Sequence, residues 1–379
     1  GDQMYILNDQ HVLLLANFID YNSGHWWGDA LPYYNSQRTE AIVVRHQGEE
    51  LKVISRVAMD GNFVESRLVG ERLYLATRIN VPEQDEEGGI FWRRGLQVNG
   101  IDFSTPDAPI KKAPLDLVDN KGWFWNSVVT ASPEYLLVST ARYDSETRLT
   151  KSRVFVIPIG RDLPTLAVQH EVELKANLND KFKLRMKGGI LTTVTQKNVW
   201  REELTTYVES FDLLGDKARK LDELLLAPQE RLHATRFDGD RLYVVTFFVE
   251  LRKDPLFVID LSDPSNLKSL GELEIPGWST YLVPEGGRLL SVGLEDGNVA
   301  ISLFDVSDTS TLKLIKRVYP GEGRSWSEAN WDEKAVGYLS EHDLLLLPIQ
   351  TYNKTEEGGH RHENLMQIVD VLDDDVVLR

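Results

Sequence analysis

The chain has 379 residues, 42% hydrophobic and 27% charged, with 42 Lys+Arg against 59 Asp+Glu and a formal net charge of -17. That balance repels phosphate backbones and excludes nucleic acid and anionic membranes as natural partners. The absence of cysteine excludes disulfides, thiolate zinc sites, iron–sulfur clusters and cysteine nucleophiles.

In chain order, one two-strand pattern recurs about seven times at intervals of roughly 45–55 residues, the spacing of propeller blades. The copies are Tyr5–Phe18, Glu65–Arg78, Ser127–Ala141, Lys183–Gln196, His233–Phe247, Thr280–Leu294 and Ala335–Gln350. Each is a β-rich run, a tight polar turn and a second β-rich run. Asp238-Gly239-Asp240 and Gly286-Gly287 supply the positive φ that such turns need.

A third and fourth strand follow each hairpin. They are clearest in Pro255–Pro276 and Val299–Pro320, and weaker in Ile42–Val57, Val98–Leu117, Arg153–Leu174, Thr206–Leu225 and Met366–Leu378. One four-stranded meander has two apolar faces and cannot bury both alone; sheets stacked face to face in a ring cover them. The expected fold is therefore an all-β β-propeller of seven four-stranded blades, with six or eight as fallbacks. It is read as one domain over residues 1–379, with blades at about 4–58, 62–118, 123–174, 180–226, 231–276, 278–320 and 325–379. Lys217–Leu226 has some helical periodicity but stands where the repeat calls for an outer strand, and strand is expected.

From Arg231 to Gln350, the phrases RLHATRFDGDRLYVVTF, DPLFVIDLSDPSNLKSLGELEIPGWSTYL and SWSEANWDEKAVGYLSEHDLLLLPI resemble bacterial and archaeal secreted proteins with a C-terminal β-propeller domain. The resemblance implies a propeller fold and a secreted, periplasmic or cell-surface address, and it brings no catalytic residues. No run reaches the roughly 18 apolar residues of a membrane span. Gly1-Asp2 opens without an initiator Met, so a trimmed leader or anchor is compatible with the sequence.

Three units depart from the rule with long excursions between their second and third strands: Asp20–Thr39, Asn80–Gly95 and Thr351–Asn364. They belong to the first, second and last units, which ring closure makes neighbours, so they are expected to gather into one wall. Its aromatic side chains, His25, Trp26, Trp27, Tyr33, Tyr34, Phe91, Trp92 and Tyr352, form a candidate stacking platform, or else a small core beneath the loops. His360 and His362, with His25, are candidate ligands for a divalent metal, although none is required; the alternative is a solvated polar loop. The acidic run Glu83–Glu87 reads as a hydrated tip or an oxygen-rich calcium contact. Asp260, Asp263, Asp305 and Asp308 recur at equivalent turns and read as turn chemistry.

Trp123, Trp125, Trp278, Trp326 and Trp331 cluster near unit starts, where side chains tend to line a propeller's upper mouth, with Glu328 and Asn330 adding polar groups. Arg67, Arg142, Arg185 and Arg236 stand in or beside the inner strand pairs, facing the channel or packing between blades. No G-x-S-x-G, Walker, H-E-x-x-H or S-x-x-K arrangement is present. The expected function is noncatalytic binding or scaffolding outside the cytoplasm by a monomer that presents loops to a protein or glycan. The alternative is a hydrolase or lyase with its site at the channel mouth.

Overall fold

The computed structural model describes residues 3–20, 36–84, 87–118, 124–160, 165–197, 204–247, 253–321, 324–354 and 359–379. Among these, seven antiparallel sheets follow one another along the chain, five of four strands and two of five. In the five four-stranded sheets successive strands pair as a meander, and the two five-stranded sheets each carry one further strand off that path, which gives the all-β propeller fold the repeat predicts.

The residues divide into two compact units. Residues 1–181 with 215–218 carry three sheets. The first has β1 (Gln3–Asn8), β2 (His11–Asp20), β3 (Ser36–Gln47) and β4 (Glu50–Asp60). The second has β5 (Asn62–Val69), β6 (Arg72–Gln84), β7 (Ile90–Asp102), β8 (Ile110–Lys111) and β9 (Leu115–Val118). The third has β10 (Phe124–Ala131), β11 (Tyr135–Asp144), β12 (Leu149–Pro158) and β13 (His170–Glu173).

Residues 182–214 with 219–379 carry four sheets. The first of these has β14 (Leu184–Lys187), β15 (Ile190–Lys197), β16 (Thr205–Asp212) and β17 (Arg219–Leu226). The next has β18 (Arg231–Asp238), β19 (Arg241–Phe247), β20 (Lys253–Asp260) and β21 (Lys268–Pro276). It is followed by β22 (Trp278–Glu285), β23 (Arg288–Glu295), β24 (Asn298–Asp305) and β25 (Lys313–Val318). The last has β26 (Arg324–Trp326), β27 (Gly337–Leu339), β28 (Leu344–Lys354), β29 (His360–Val371) and β30 (Val376–Leu378).

Packing follows the face-to-face logic within each unit. Leu13, Leu15, Ala41 and Val43 of the first sheet pack with Leu73, Leu75 and Ile101 of the second. In the larger unit, Ala234, Tyr243 and Val258 pack with Leu282, Leu289 and Phe304 of the following sheet. Both faces are covered, so β16 and β24 are buried almost throughout; β24 is accordingly a near-continuous apolar run, whereas β16 buries polar side chains such as Thr206, Glu209 and Ser210.

Turn chemistry repeats as expected. Asp260 accepts the Ser262 amide at 2.9 Å and Asp263 that of Ser265 at 2.9 Å. Asp305 and Asp308 do the same for Ser307 at 3.0 Å and Ser310 at 2.9 Å. The Ser310 and Thr311 hydroxyls, which also donate to Asp308, hold its carboxyl down at about 2. These aspartates fasten turns between third and fourth strands. The segment with helical periodicity is strand β17.

Three details depart from the simple repeat. The second excursion is no free loop: β6 and β7 stay paired from Arg72↔Asp102 out to Gln84↔Ile90. The third is likewise a ribbon, with β28 and β29 paired out to Lys354↔His360. In the last sheet the innermost strand is split. β26 and β27 both pair with β28, and 3₁₀ turns at Glu328–Asn330 and Glu333–Ala335 lie between them. Ser327 and Asp332 cap those turns by accepting the amides of Ala329 and Lys334.

Candidate functional site

In the larger unit the inner strands β18 and β22 carry a row of rings. Each strand has a bulge near its start, between Leu232 and Ala234 in β18 and between Ser279 and Tyr281 in β22. The bulged residues are His233 and Thr280. A bulge inserts an unpaired residue and re-aims its side chain. His233 is thereby placed against Trp278 (centroids 6.0 Å) and edge-on to Phe247 (5.8 Å). Trp278 and Phe247 complete the triangle at 5.2 Å.

Trp278 owes its position to Gly277. That residue has φ +81, and a Cβ there would lie 2.4 Å from the Leu294 carbonyl oxygen. The glycine lets the chain turn from β21 into β22 while pressed on the second strand of its own sheet. Gly61 plays the same part before β5, with φ +85 and the Arg78 carbonyl 2.3 Å from a built Cβ.

Beside the triangle opens a pocket of about 500 Å³ lined by Phe247, Pro276, Gly277, Trp278, Glu295, Asp296 and Gly297. Arg317 donates to Glu295 at 2.8 Å, and the Tyr319 hydroxyl donates to the same Oε2. Asp296 sits in the left-handed region at φ +49 and is exposed. The pocket thus joins indole and phenyl faces to two carboxylates, one of them braced.

His233 is mostly buried, and its Nε2 has no hydrogen-bond partner among the described residues. Burial lowers its pKa to about 4, and the Arg231 and Lys183 cations push in the same direction. At neutral pH the ring is uncharged and packs as an aromatic body.

Farther along the row, Arg236 of β18 lies over Phe182 (5.2 Å) and Tyr281 (5.6 Å). Those two rings meet edge to face at 6.0 Å. The Thr235 hydroxyl donates to the Phe182 carbonyl at 2.8 Å, tying this segment to β18.

Most of the other sequence-named residues are not described. His25, Trp26, Trp27, Tyr33, Tyr34 and Trp123 lie outside the described residues, as do the side chains of Phe91, Trp92, Trp125 and His360. Phe91 and Trp92 stand on β7 opposite Glu83 and Pro82. Tyr352 and His362 are cross-strand neighbours on the last ribbon, ring centroids 4.8 Å apart and both exposed. The first two excursions belong to one unit and the third to the other. Among the described residues, no group of three or more His, Cys, Asp or Glu side chains is placed to hold a metal.

Trp326 and Trp331 are exposed, and Glu328 is exposed beside the buried Asn330. Asn330 accepts from the Thr280 hydroxyl at 3.2 Å and leaves its Nδ2 buried without a partner among the described residues. Arg142 is on β11, where it lines a 170 Å³ groove with Asp144, Lys151 and Arg153. Sequence reasoning named Trp278 and Arg236 but missed Phe247, Phe182, Tyr281 and Glu295. Of these only Tyr281, an aromatic on the inner strand β22, offered a local signal; Phe247 ends β19, Phe182 lies in the turn before β14 and Glu295 ends β23.

Residues 97–375 match the family model of the Beta propeller domain. An uncharacterized protein of Archaeoglobus fulgidus is 38% identical over 172 residues, 45% of this chain and 26% of that protein. Another from Methanocaldococcus jannaschii is 36% identical over 180 residues, 46% of this chain and 28% of that protein. These matches span little more than a quarter of the relatives' length. Among solved structures, the periplasmic gluconolactonase of Pseudomonas aeruginosa is similar at TM-score 0.49 and 13% identity, covering 89% of this chain and 94% of that one. The acylaminoacyl peptidase of Pyrococcus horikoshii scores 0.45 at 11% identity, covering 99% of this chain and 51% of that one. Likeness at this level says nothing about chemistry.

Proposed function

The chain belongs to the Beta propeller domain family, and from that premise we propose a noncatalytic binding module that works outside the cytoplasm and holds a glycan against Trp278. The observation that carries the reading is the 500 Å³ pocket built on Trp278 and Phe247 with Glu295 and Asp296 at its rim. Its volume falls in the range of about 300–1,000 Å³ typical of small-ligand sites. A sugar ring has an apolar C–H face that suits indole and phenyl surfaces, and hydroxyls that donate to carboxylates. A net charge of -17 favours a neutral ligand over an acidic one at this rim. The extracytoplasmic address is supported by the resemblance of Arg231–Gln350 to secreted propeller proteins.

The aromatic residues of the long excursions make a second candidate surface for the same role, and one experiment separates the two. A glycan and peptide array identifies a ligand, and calorimetry then compares Trp278→Ala, Phe247→Ala and the pair Trp26→Ala/Trp27→Ala. Trp278→Ala is expected to weaken binding about tenfold or more, the cost of losing one large stacked ring. Loss in the Trp26/Trp27 variant with full binding in Trp278→Ala moves the site to the excursions. Turnover of the bound ligand replaces the binding reading with a hydrolase or lyase.

A further inference from the structure

The inner strands repeat a charge as well as a fold. Arg67, Arg185 and Arg236 each stand two places before the end of their strand, β5, β14 and β18. They face Tyr74, Thr192 and Tyr243 across their hairpins. At this shared position the chain places a guanidinium three times, yet the three are not treated alike.

Arg67 pairs with Glu65 at 2.9 Å and donates to the Ser66 carbonyl. Arg185 lies over Phe237 (4.7 Å), donates to the Gly239 carbonyl at 2.7 Å and sits in the field of Asp240 and Asp238. Arg236 has the aromatic support and nothing else: among the described residues it has neither a carboxylate partner nor a hydrogen-bond acceptor. It is partly exposed, so its donors remain open to a ligand. Arg231 on the same strand and Lys183, next to Phe182 in the chain, are further cations of this stretch.

We infer that Arg236 is an oxyanion receptor: its guanidinium, supported by Phe182 and Tyr281, takes the carboxylate or phosphate of a small ligand through paired N–H donors. Physical chemistry favours this. A guanidinium presents five donors in a planar fork that matches an oxyanion two at a time. Aromatic contact fixes the fork before the ligand arrives, so less freedom is lost on binding. This site is distinct from the Trp278 pocket. Arg236 follows His233 by three positions on β18, roughly 10 Å along a strand.

The test follows the arginine Nε–H signals by NMR in the full chain during separate titrations with glucuronate, inorganic phosphate and glucose. Loss of one peak in Arg236→Lys assigns the resonance. The expected result is a saturable shift of that peak with glucuronate or phosphate and none with glucose. Glucuronate alone assigns a carboxylate, and phosphate alone assigns a phosphate. Arg236→Lys keeps the charge but loses the fork, and Arg236→Met loses both. Each is expected to weaken binding about tenfold or more, the usual cost of a charged hydrogen-bonded pair. Thermal melting confirms that each variant is folded, and Arg185→Met is expected to bind as the parent does. An unmoved Arg236 peak, equal movement of all arginine peaks, or parent-like affinity in both variants would overturn the inference.

Discussion

Replacing Gly277 by alanine should damage the pocket and the fold together, by an amount the structure predicts. The backbone there has φ +81, so any L side chain is strained, at about 1–2 kcal/mol. The added Cβ would stand 2.4 Å from the Leu294 carbonyl oxygen, 2.9 Å from Glu295 Cβ and 3.0 Å from Glu295 Cα. Two of these are backbone atoms of β23, which cannot swing away like the end of a side chain. Moving them costs a further 1–3 kcal/mol, as overpacking generally does. The expected total is about 2–5 kcal/mol. Gly239 is the control, since its φ is +54 but a built Cβ meets nothing within 4 Å. Gly239→Ala should therefore cost only about 1–2 kcal/mol. Urea denaturation followed by tryptophan fluorescence gives both values. Because Gly277 also positions Trp278, the first variant should weaken ligand binding at temperatures where it is folded, and the second should not. Equal destabilisation by the two substitutions would refute the reasoning.

Three further outcomes are expected. His233 has a folded pKa of about 4, below its ordinary value of 6.5, so the unfolded chain binds the proton first. Stability should fall as pH drops from about 6.5 to about 4, by up to roughly 3 kcal/mol, and urea midpoints across that window should flatten in His233→Gln. The carboxylate of Glu209, only 1% exposed, receives Lys220 Nζ at 2.9 Å; Lys220→Met should cost about 2 kcal/mol or more by thermal melting, and an unchanged melting temperature would show the pair to be dispensable. On β29, Val369 is fully buried while its neighbour Ile368 is 38% exposed on the opposite face; Val369→Asp should cost more than about 3 kcal/mol and Ile368→Asp less than about 1, with the reverse order contradicting the strand's register.

The architecture was legible because it is local and repeated. Leu13, Leu73, Leu136, Leu191, Leu242 and Leu289 each stand near the start of the second strand of a hairpin, and all are essentially buried. Alternating apolar runs and turn glycines carry that information in any one copy, and the other copies confirm it. The last unit was harder to read, because SWSEANWDEKA interrupts the innermost strand with two 3₁₀ turns. The second and third excursions read as loops, yet cross-strand pairing continues through them as ribbons. Polar residues such as Glu83, Asn353 and Arg361 disguised that continuation.

The site was only partly legible. Trp278 and Arg236 stand out as a ring and a charge at inner-strand positions, but their surroundings depend on neighbouring strands. Phe247 reaches Trp278 because it ends β19, and Phe182 reaches Arg236 from the 3₁₀ turn before β14. Nothing local distinguishes Arg236 from Arg185, which occupies the same register. The difference lies in which acceptors the next sheet presents, Gly239 and the nearby aspartates for one and aromatic rings for the other.

The most direct measurement of the account is a crystal structure of the chain with the tightest ligand from the glycan and peptide array. A sugar ring stacked on Trp278, with hydroxyls donating to Glu295 or Asp296, is the predicted result. Ligand density confined to the long excursions, with the Trp278 pocket holding only solvent, would contradict it.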